Sequence, residues 1–219
     1  MNLKVLARSS VEPVLISEAK TYLRIDHTDE DSLVGGLITA ARDHVERYTR
    51  RVLIYTAFRL TLDTFPPYNF ERYSRTNMVL QIGDIELPRS PVVSLDASTI
   101  TGIAYATPRV RYWDGDGVQQ TMVEGTDYDI LIDDNPPRIV LPPFGVWPLV
   151  ESGSRGSVEI DFVAGYGASS QTMPPLLKQA ILMLCAHWYE NRMAVGSYGT
   201  ETPFAVDSIL KIYSDGGYN

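Results

Sequence analysis

The sequence predicts an α+β protein in which a helical bundle carries an inserted antiparallel β-sandwich or barrel-like module and ends in an extended C-terminal arm. Three observations lead to this prediction. Apolar residues recur at helical spacing over residues 14–50, short alternating runs fill residues 55–165, and helical periodicity returns over residues 174–193. The expected domains are residues 1–54 with 166–196 for the bundle, 55–165 for the β module and 197–219 for the arm.

Two helices are predicted near the N-terminus. Ser17 can cap a short first helix, and Thr28 and Asp31 stand at capping-box spacing before a longer one that should run from Glu30 to Tyr48. The inward residues should be Ala19, Tyr22 and Leu23 in the short helix, and Leu33, Val34, Leu37, Ile38, Ala41, Val45 and Tyr48 in the long one. The opposite, polar side of the long helix consists of Arg42, Asp43, Glu46 and Arg47.

The β module is predicted from short runs separated by turn-forming clusters. The run AFRLTLD alternates apolar and polar residues, which is typical of a half-buried strand. Clusters such as TFPPYN, DGDG, DDNPP and LPPFG are typical of the turns between antiparallel strands. The further predicted strands are DIEL, PVVSL, TGIAYA, RVRYW, VQQTMV, YDILI, RIVL and SVEIDFVAG.

A third, long helix is predicted over residues 174–193. Pro174 and Pro175 mark its start, since a first helical turn tolerates proline. After this helix, residues 196–202 are rich in Gly and Thr, and a short amphipathic segment follows from Phe204 to Tyr213. The apolar stripe of the helix consists of Leu177, Ala180, Ile181, Leu184, Cys185 and Trp188.

This last helix carries the strongest candidates for a catalytic or metal site, namely Cys185, His187 and Glu190. Zinc would require a further ligand at a recognisable spacing, and the sequence has none. His187 is two residues from Cys185 and therefore points about 200° around the helix from it, away from a position where it could activate the thiol. We therefore expect Cys185 to be a small buried hydrophobic residue.

The acidic and glycine-rich motifs favour ordinary turns and helix ends. Asp26 to Asp31 lacks the alternating ligands and central glycine of a calcium loop. Asp114 to Gly117 is typical of a hairpin turn. Ala164 to Ser170 matches neither dinucleotide nor P-loop motifs. No spacing selects a catalytic triad or a pair of catalytic carboxylates, so the sequence names no catalytic, cofactor or metal site. A hydrolase whose acid-base pair is brought together only by the fold stays open as an alternative.

Charge and composition further narrow the class of protein to which the chain can belong. The net charge of −8 and the scattered basic residues argue against a phosphate-binding surface. A single cysteine precludes an intramolecular disulfide. The N-terminal residues lack the apolar centre of a signal peptide, and no apolar run is long enough for a membrane helix, so a soluble intracellular protein is expected.

Several ordered segments resemble the phage head-tail connector family. They are PVLISEAKTYLRIDHTDEDSLVGGLITAARDHVERYTRRVLI, FRLTLDTFP, IELPRSPVVSL, VEIDFVAGYG and MPPLLKQAILMLCAHWYENRMAV. The family comprises adaptor proteins similar to those of lambda-like and HK97-like siphophages and of prophage-derived gene transfer agents. The resemblance extends from about residue 11 to residue 213.

This resemblance implies a structural protein without catalysis, cofactor or metal, made in the bacterial cytoplasm and located in the virion neck. Such adaptors form rings, usually of twelve copies, which bind the portal protein and a stopper or tail-terminator protein while double-stranded DNA passes through without specific binding. The polar side of the long helix, Arg42, Asp43, Glu46 and Arg47, would then face the lumen or a neighbouring subunit. The portal-binding arm would present Phe204, Val206, Ile209, Leu210, Ile212 and Tyr213.

An alternative hypothesis is a carbohydrate- or host-binding β module of a virion component. It rests on four aromatic residues that could stack on sugars or instead fill a sandwich core. They are Tyr105, Tyr112, Trp113 and Tyr128.

Overall fold

A computed structural model describes residues 1–66, 83–94, 110–150, 155–191 and 204–214 and confirms the α+β class. The chain divides into two compact units, which we call the sheet unit and the helical unit. The sheet unit consists of Met1–Arg8 and Thr56–Ala164, and the helical unit consists of Ser9–Tyr55 and Gly165–Asn219.

The elements follow one another in the order β1, α1, α2, β2 to β9, α3 and α4. The described strands are β1 (Asn2–Arg8), β2 (Thr56–Leu62), β3 (Ile85–Glu86), β4 (Val92–Ser94), β5 (Val110–Trp113), β6 (Gln119–Thr121), β7 (Asp129–Leu131), β8 (Arg138–Val140) and β9 (Val158–Ala164). The described helices are α1 (Ile16–Leu23), α2 (Asp31–Thr49), α3 (Pro175–Glu190) and α4 (Phe204–Tyr213).

Strand β9 is the centre of the larger sheet. It pairs antiparallel with β2 along its whole length, and β5 and β4 share its other side. The order is β1-β2-β9-β5-β6, with β4 beside β9. Alternation along β2 and β9 directs Phe58 and Phe162 to the same face, where their rings stack 5.5 Å apart. The alternating sequence of β2 therefore predicted correctly that Phe58 and Leu60 lie on its buried face.

A second antiparallel sheet has the order β3-β8-β7. Ile139 in its central strand is fully buried and lies opposite Ile85 and Ile130. The sandwich arrangement of the β module stays a prediction. The predicted strand at residues 101–106 lies outside the described residues.

The helical unit is built around α2 and α3. The predicted apolar stripe of α3 is confirmed, because its first five members are buried and Trp188 packs at their edge. The buried core of this unit consists of Val14, Ala19, Val34, Ile38, Ala41, Val45, Leu53, Met173, Leu177, Ala180, Ile181, Leu184, Cys185, Val206 and Leu210.

Several predictions about the start of α1 and about the buried faces of α1 and α2 were wrong in detail. Ser17 is inside the first turn of α1, and the backbone N–H of Leu15 before it donates to Glu18 at 3.0 Å. Tyr22, Leu33 and Tyr48 are exposed because they lie at the margins of their apolar stripes. The part of each helix surface that is buried in the core is therefore narrower than the sequence pattern indicated.

The first strand was also missed. Residues 2–8 were expected to belong to the helical bundle, but they form β1 in the sheet unit. The strand pairs antiparallel with β2, from Asn2 opposite Thr61 to Arg8 opposite Thr56. Its own residues are largely exposed, so they show little of the hydrophobic pattern that identifies a strand locally.

Gly165 is required where β9 ends. Its φ is 138°, and an added Cβ would lie 2.7 Å from the backbone nitrogen of Tyr55. We expect Gly165→Ala to lower the free energy of unfolding by about 2 kcal/mol, because both the backbone conformation and the contact are unfavourable. Gly115→Ala is the matched control, since nothing lies within 4 Å of an added Cβ there. Urea denaturation measures both changes, and equal stabilities would contradict the expectation.

Candidate interaction surfaces

The cysteine of α3 lies in a packed interior. Cys185 is buried, and burial raises the pKa of its thiol to about 11. His187 lies near the end of the helix, where Asn191 Nδ2 donates to the His187 carbonyl oxygen at 2.8 Å. In the part of the chain that the structure describes, no three His, Cys, Asp or Glu side chains lie close enough together to hold a metal ion.

We expect the Cys185 thiol to be unreactive toward a disulfide reagent such as dithionitrobenzoate in the folded protein at pH 8. Both burial and the raised pKa, about 11, keep the thiolate population small. Absorbance should report no release in buffer and one thiol per chain in denaturant. Rapid reaction of the folded protein would show that this helix is open to solvent.

Acidic side chains at the start of α2 and at the start of the turn after β5 have hydrogen-bond partners within the chain. Asp31 accepts a hydrogen bond from Lys20 Nζ at 2.6 Å, and Glu30 accepts one from the Tyr189 hydroxyl. The predicted turn at Asp114 to Gly117 is confirmed, with Gly117 in a positive-φ conformation and its N–H donating to Asp114 O at 3.0 Å. The Gln120 side-chain amide, followed by backbone donors, lowers the pKa of the Asp114 carboxyl.

The polar side of α2 differs from the prediction at one residue. Arg42 is only 8% exposed, because its guanidinium donates to Glu12 at 2.7 Å and contacts Asp43 at 3.2 Å. It therefore belongs to the interior of the helical unit and is not available for a lumen-facing surface. Glu46 accepts the Leu53 backbone N–H at 2.9 Å, whereas Arg47 is exposed.

The C-terminal helix α4 packs against its own helical unit. Val206 and Leu210 are fully buried there, and Ile209 and Tyr213 pack at the margin. Phe204, at 85% exposed, and Ile212, at 56%, face solvent. The six predicted arm anchors are therefore divided between two sides of one helix.

Polar contacts hold the same helix in place. The Tyr48 hydroxyl donates to Asp207 at 2.8 Å, and Arg51 Nε donates to the carbonyl oxygen of Tyr213 at 2.8 Å. The Arg51 guanidinium also lies 5.9 Å from the centre of the Tyr213 ring, within the range of a cation–π contact. Thus α4 is docked at both its beginning and its end.

A cluster of charges joins three strands of the larger sheet. Asp161 is 1% exposed and accepts hydrogen bonds from Arg59 Nε at 2.7 Å and from an Arg111 amino group at 2.7 Å. Glu159 contacts the same two arginines at 3.3 and 3.2 Å. The sequence indicated only that these residues alternate with apolar ones. Their convergence depends on the pairing of β9 with both β2 and β5.

The aromatic residues of the carbohydrate-binding hypothesis have structural contacts. Tyr128 is buried, and Tyr112 meets the ring of Phe65 edge-on at 5.7 Å. Tyr105 lies outside the described residues. These contacts give the hypothesis no support, and it stays an untested prediction.

An exposed apolar loop is the surface feature that the sequence missed. Residues 141–150, LPPFGVWPLV, contain no charged side chain, and we call them the Phe144 loop. Only the first five of them, LPPFG, were predicted, as a turn. The side chains exposed on the loop are Pro143, Phe144, Val146 and Leu149.

The comparisons agree on one class of protein. Residues 14–78 match the family model of phage gp6-like head-tail connector proteins, which confirms the predicted resemblance to that family. No curated protein matches the sequence. In the described part of the chain, no helix combines the length and apolar character needed to cross a membrane.

Three solved structures are similar over 98% of this chain and 95% of theirs. One is a chain of the neck of an empty gene transfer agent particle, computed with C6 symmetry, at 25% identity and a TM-score of 0.71. Another is from the neck of a native particle, computed with C12 symmetry, at 26% identity and a TM-score of 0.69. The third, from the virion of a native particle, shares the fold at 24% identity and a TM-score of 0.70.

Proposed function

We propose that this chain is a head-to-tail adaptor of a tailed phage or gene transfer agent, located in the virion neck. The observation that carries the proposal is a fold shared over nearly the whole chain with neck proteins, combined with the match of residues 14–78 to head-tail connectors. In this role the chain is a structural part without catalysis. It joins the DNA-filled capsid to the stopper or tail-terminator protein.

The adaptor assembles as a ring below the portal, with twelve copies as the proposed number. The support is that the similar neck structures were computed with C6 and C12 symmetry, both of which describe closed rings. Each copy in such a ring contributes one surface to the central passage and two surfaces to its neighbours.

The passage carries double-stranded DNA without binding it specifically. The net charge of −8 per chain supports this proposal, because an acidic ring repels phosphates and lets the duplex slide. Asp43, Glu46 and Arg47 are the proposed lumen-facing or subunit-facing residues of α2, since Arg42 is buried against Glu12.

The C-terminal segment binds the portal in this proposal. Phe204 and Ile212 are the proposed contacts, because they are the exposed apolar residues of α4 while Val206 and Leu210 hold the helix to the helical unit. A docked helix that presents two apolar side chains resembles the helix-in-groove mode of recognition.

Electron microscopy of particles made without this chain tests the proposed function. We expect DNA-filled heads without attached tails, because the portal would lack its connection to the tail. Supplying the chain from a second gene copy should restore tailed particles and is the control. Normal tailed particles in its absence would contradict the proposal.

A further inference from the structure

Two Asp-Gly pairs follow each other in the turn between β5 and β6. They are Asp114-Gly115 and Asp116-Gly117. In an Asp-Gly pair the aspartate carboxyl group can react with the following backbone nitrogen, because glycine has no side chain to hinder the approach. Within the described part of the chain, nothing lies within 4 Å of a Cβ added at either glycine. Sequence and open space therefore give the two aspartates the same reactivity.

Hydrogen bonding makes the two carboxyl groups different. Asp114 Oδ1 accepts the backbone N–H groups of Asp116 at 3.0 Å and of Val118 at 2.9 Å, and Asp114 Oδ2 accepts the Gln120 side-chain amide at 2.8 Å. These bonds favour the ionised form, and the Gln120 amide contributes most to lowering the pKa of Asp114. Asp116 is exposed, and no residue that the structure describes donates a hydrogen bond to its carboxylate.

The reaction at an Asp-Gly pair is a condensation followed by a hydrolysis. At Asp116, the Gly117 nitrogen attacks the carbon of the protonated carboxyl group and forms a new C–N bond. The nitrogen's proton and the carboxyl hydroxyl leave together as one water molecule, and a five-membered succinimide ring remains. Water then adds to the ring. Cleavage of the original peptide C–N bond leaves isoaspartate, whereas cleavage of the new C–N bond restores aspartate.

The hydrogen bonds that must be released separate the two sites. At Asp114 the carboxylate would have to leave three donors, and loss of even one hydrogen bond to a charged group is worth about a factor of ten in an equilibrium. At Asp116 only the nucleophile is held, since the Gly117 N–H donates to the Asp114 carbonyl oxygen at 3.0 Å. That bond joins two neutral groups, and such bonds are about half as strong as those to an ionised acceptor.

We propose that Asp116 is a site of spontaneous isoaspartate formation in the folded protein and that Asp114 is protected. Isoaspartate carries the main chain through the side-chain carbons, so the backbone between residues 116 and 117 becomes one atom longer. The hydrogen bond from Gly117 to Asp114 depends on the normal spacing of the turn and is lost. The change affects the end of the β5–β6 hairpin. The inference does not depend on the proposed adaptor function.

Mass spectrometry of the aged full-length chain tests this proposal. The purified protein is kept at pH 6 for several weeks and digested with trypsin, which releases residues 112–138 as one peptide. Electron-transfer fragmentation then distinguishes isoaspartate from aspartate at each position. We expect about tenfold more isoaspartate at Asp116 than at Asp114. Asp215, in the third Asp-Gly pair, lies outside the described residues and on a different tryptic peptide.

A synthetic peptide of residues 110–121 is the matched control. It contains both Asp-Gly pairs but is too short to hold the hairpin by itself, so the two aspartates should react at similar rates. Equal isoaspartate at both positions of the folded chain would overturn the proposal. An excess at Asp114, or no product at Asp116 by the time the peptide has reacted, would overturn it as well.

Asp116→Glu provides a second test in the folded protein. The extra methylene of glutamate requires a six-membered ring, which forms far more slowly, while the exposed position predicts an unchanged thermal midpoint. We expect isoaspartate in the peptide of residues 112–138 to fall about tenfold in this variant. If the amount stayed the same, the reactive residue would be another aspartate and the proposal would be wrong.

Discussion

Asp161→Ala is expected to lower the free energy of unfolding by about 3 kcal/mol. Asp161 accepts hydrogen bonds from Arg59 and Arg111 in the middle of the sheet, and its removal takes the closer of two shared carboxylates away from two partly buried guanidinium groups. The side chains of both arginines are about one quarter exposed, which places the effect at the lower end of the range for a broken buried ion pair. Urea denaturation followed by tryptophan fluorescence measures the change.

Glu159→Ala is the matched control for this cluster. Glu159 contacts the same arginines at longer distances, 3.3 and 3.2 Å, and its side chain is more exposed. We expect a loss of about 1 kcal/mol from this variant. If the two variants lost the same stability, Asp161 would not be the centre of the cluster.

Leu210→Ala is expected to cost about 3 kcal/mol of stability in the helical unit. Leu210 is fully buried among the residues of that core, and truncation of a buried leucine removes its transfer free energy and leaves a cavity. Ile212→Ala, on the exposed side of the same helix, should change stability by less than about 0.5 kcal/mol. Circular dichroism during urea denaturation follows the helices directly.

The two sides of α4 should also separate in function. Ile212→Ala and Phe204→Ala should leave a stable protein but reduce the number of heads with tails, because these side chains are the proposed portal contacts. If both variants assembled normally while Leu210→Ala alone failed, α4 would be a structural helix of the helical unit and the portal contact would lie elsewhere.

Sequence periodicity predicted the elements whose pattern of buried and exposed side chains is visible within a single segment. The stripe of α3 and the alternation of β2 each bury one face, so their patterns are visible without knowledge of partners. The turn at Asp114 to Gly117 was predicted for the same reason, because the chemistry of a hairpin turn is local.

The missed features depend on contacts distant in the sequence. Arg42 looked like a surface residue because nothing in α2 reveals that Glu12 lies beside it. Val206 and Leu210 looked like anchors for a partner because the core that covers them comes from residues well over a hundred positions earlier as well as from α3. The Phe144 loop contains Trp147, whose stacking on Phe65 is likewise a long-range contact.

A cryo-electron microscopy map of the intact particle neck would locate this chain and its copies. We expect a closed ring at the head-tail junction, built from copies of this chain with the fold described above. A neck whose rings are all built from other chains, with this chain absent from the junction, would contradict this expectation.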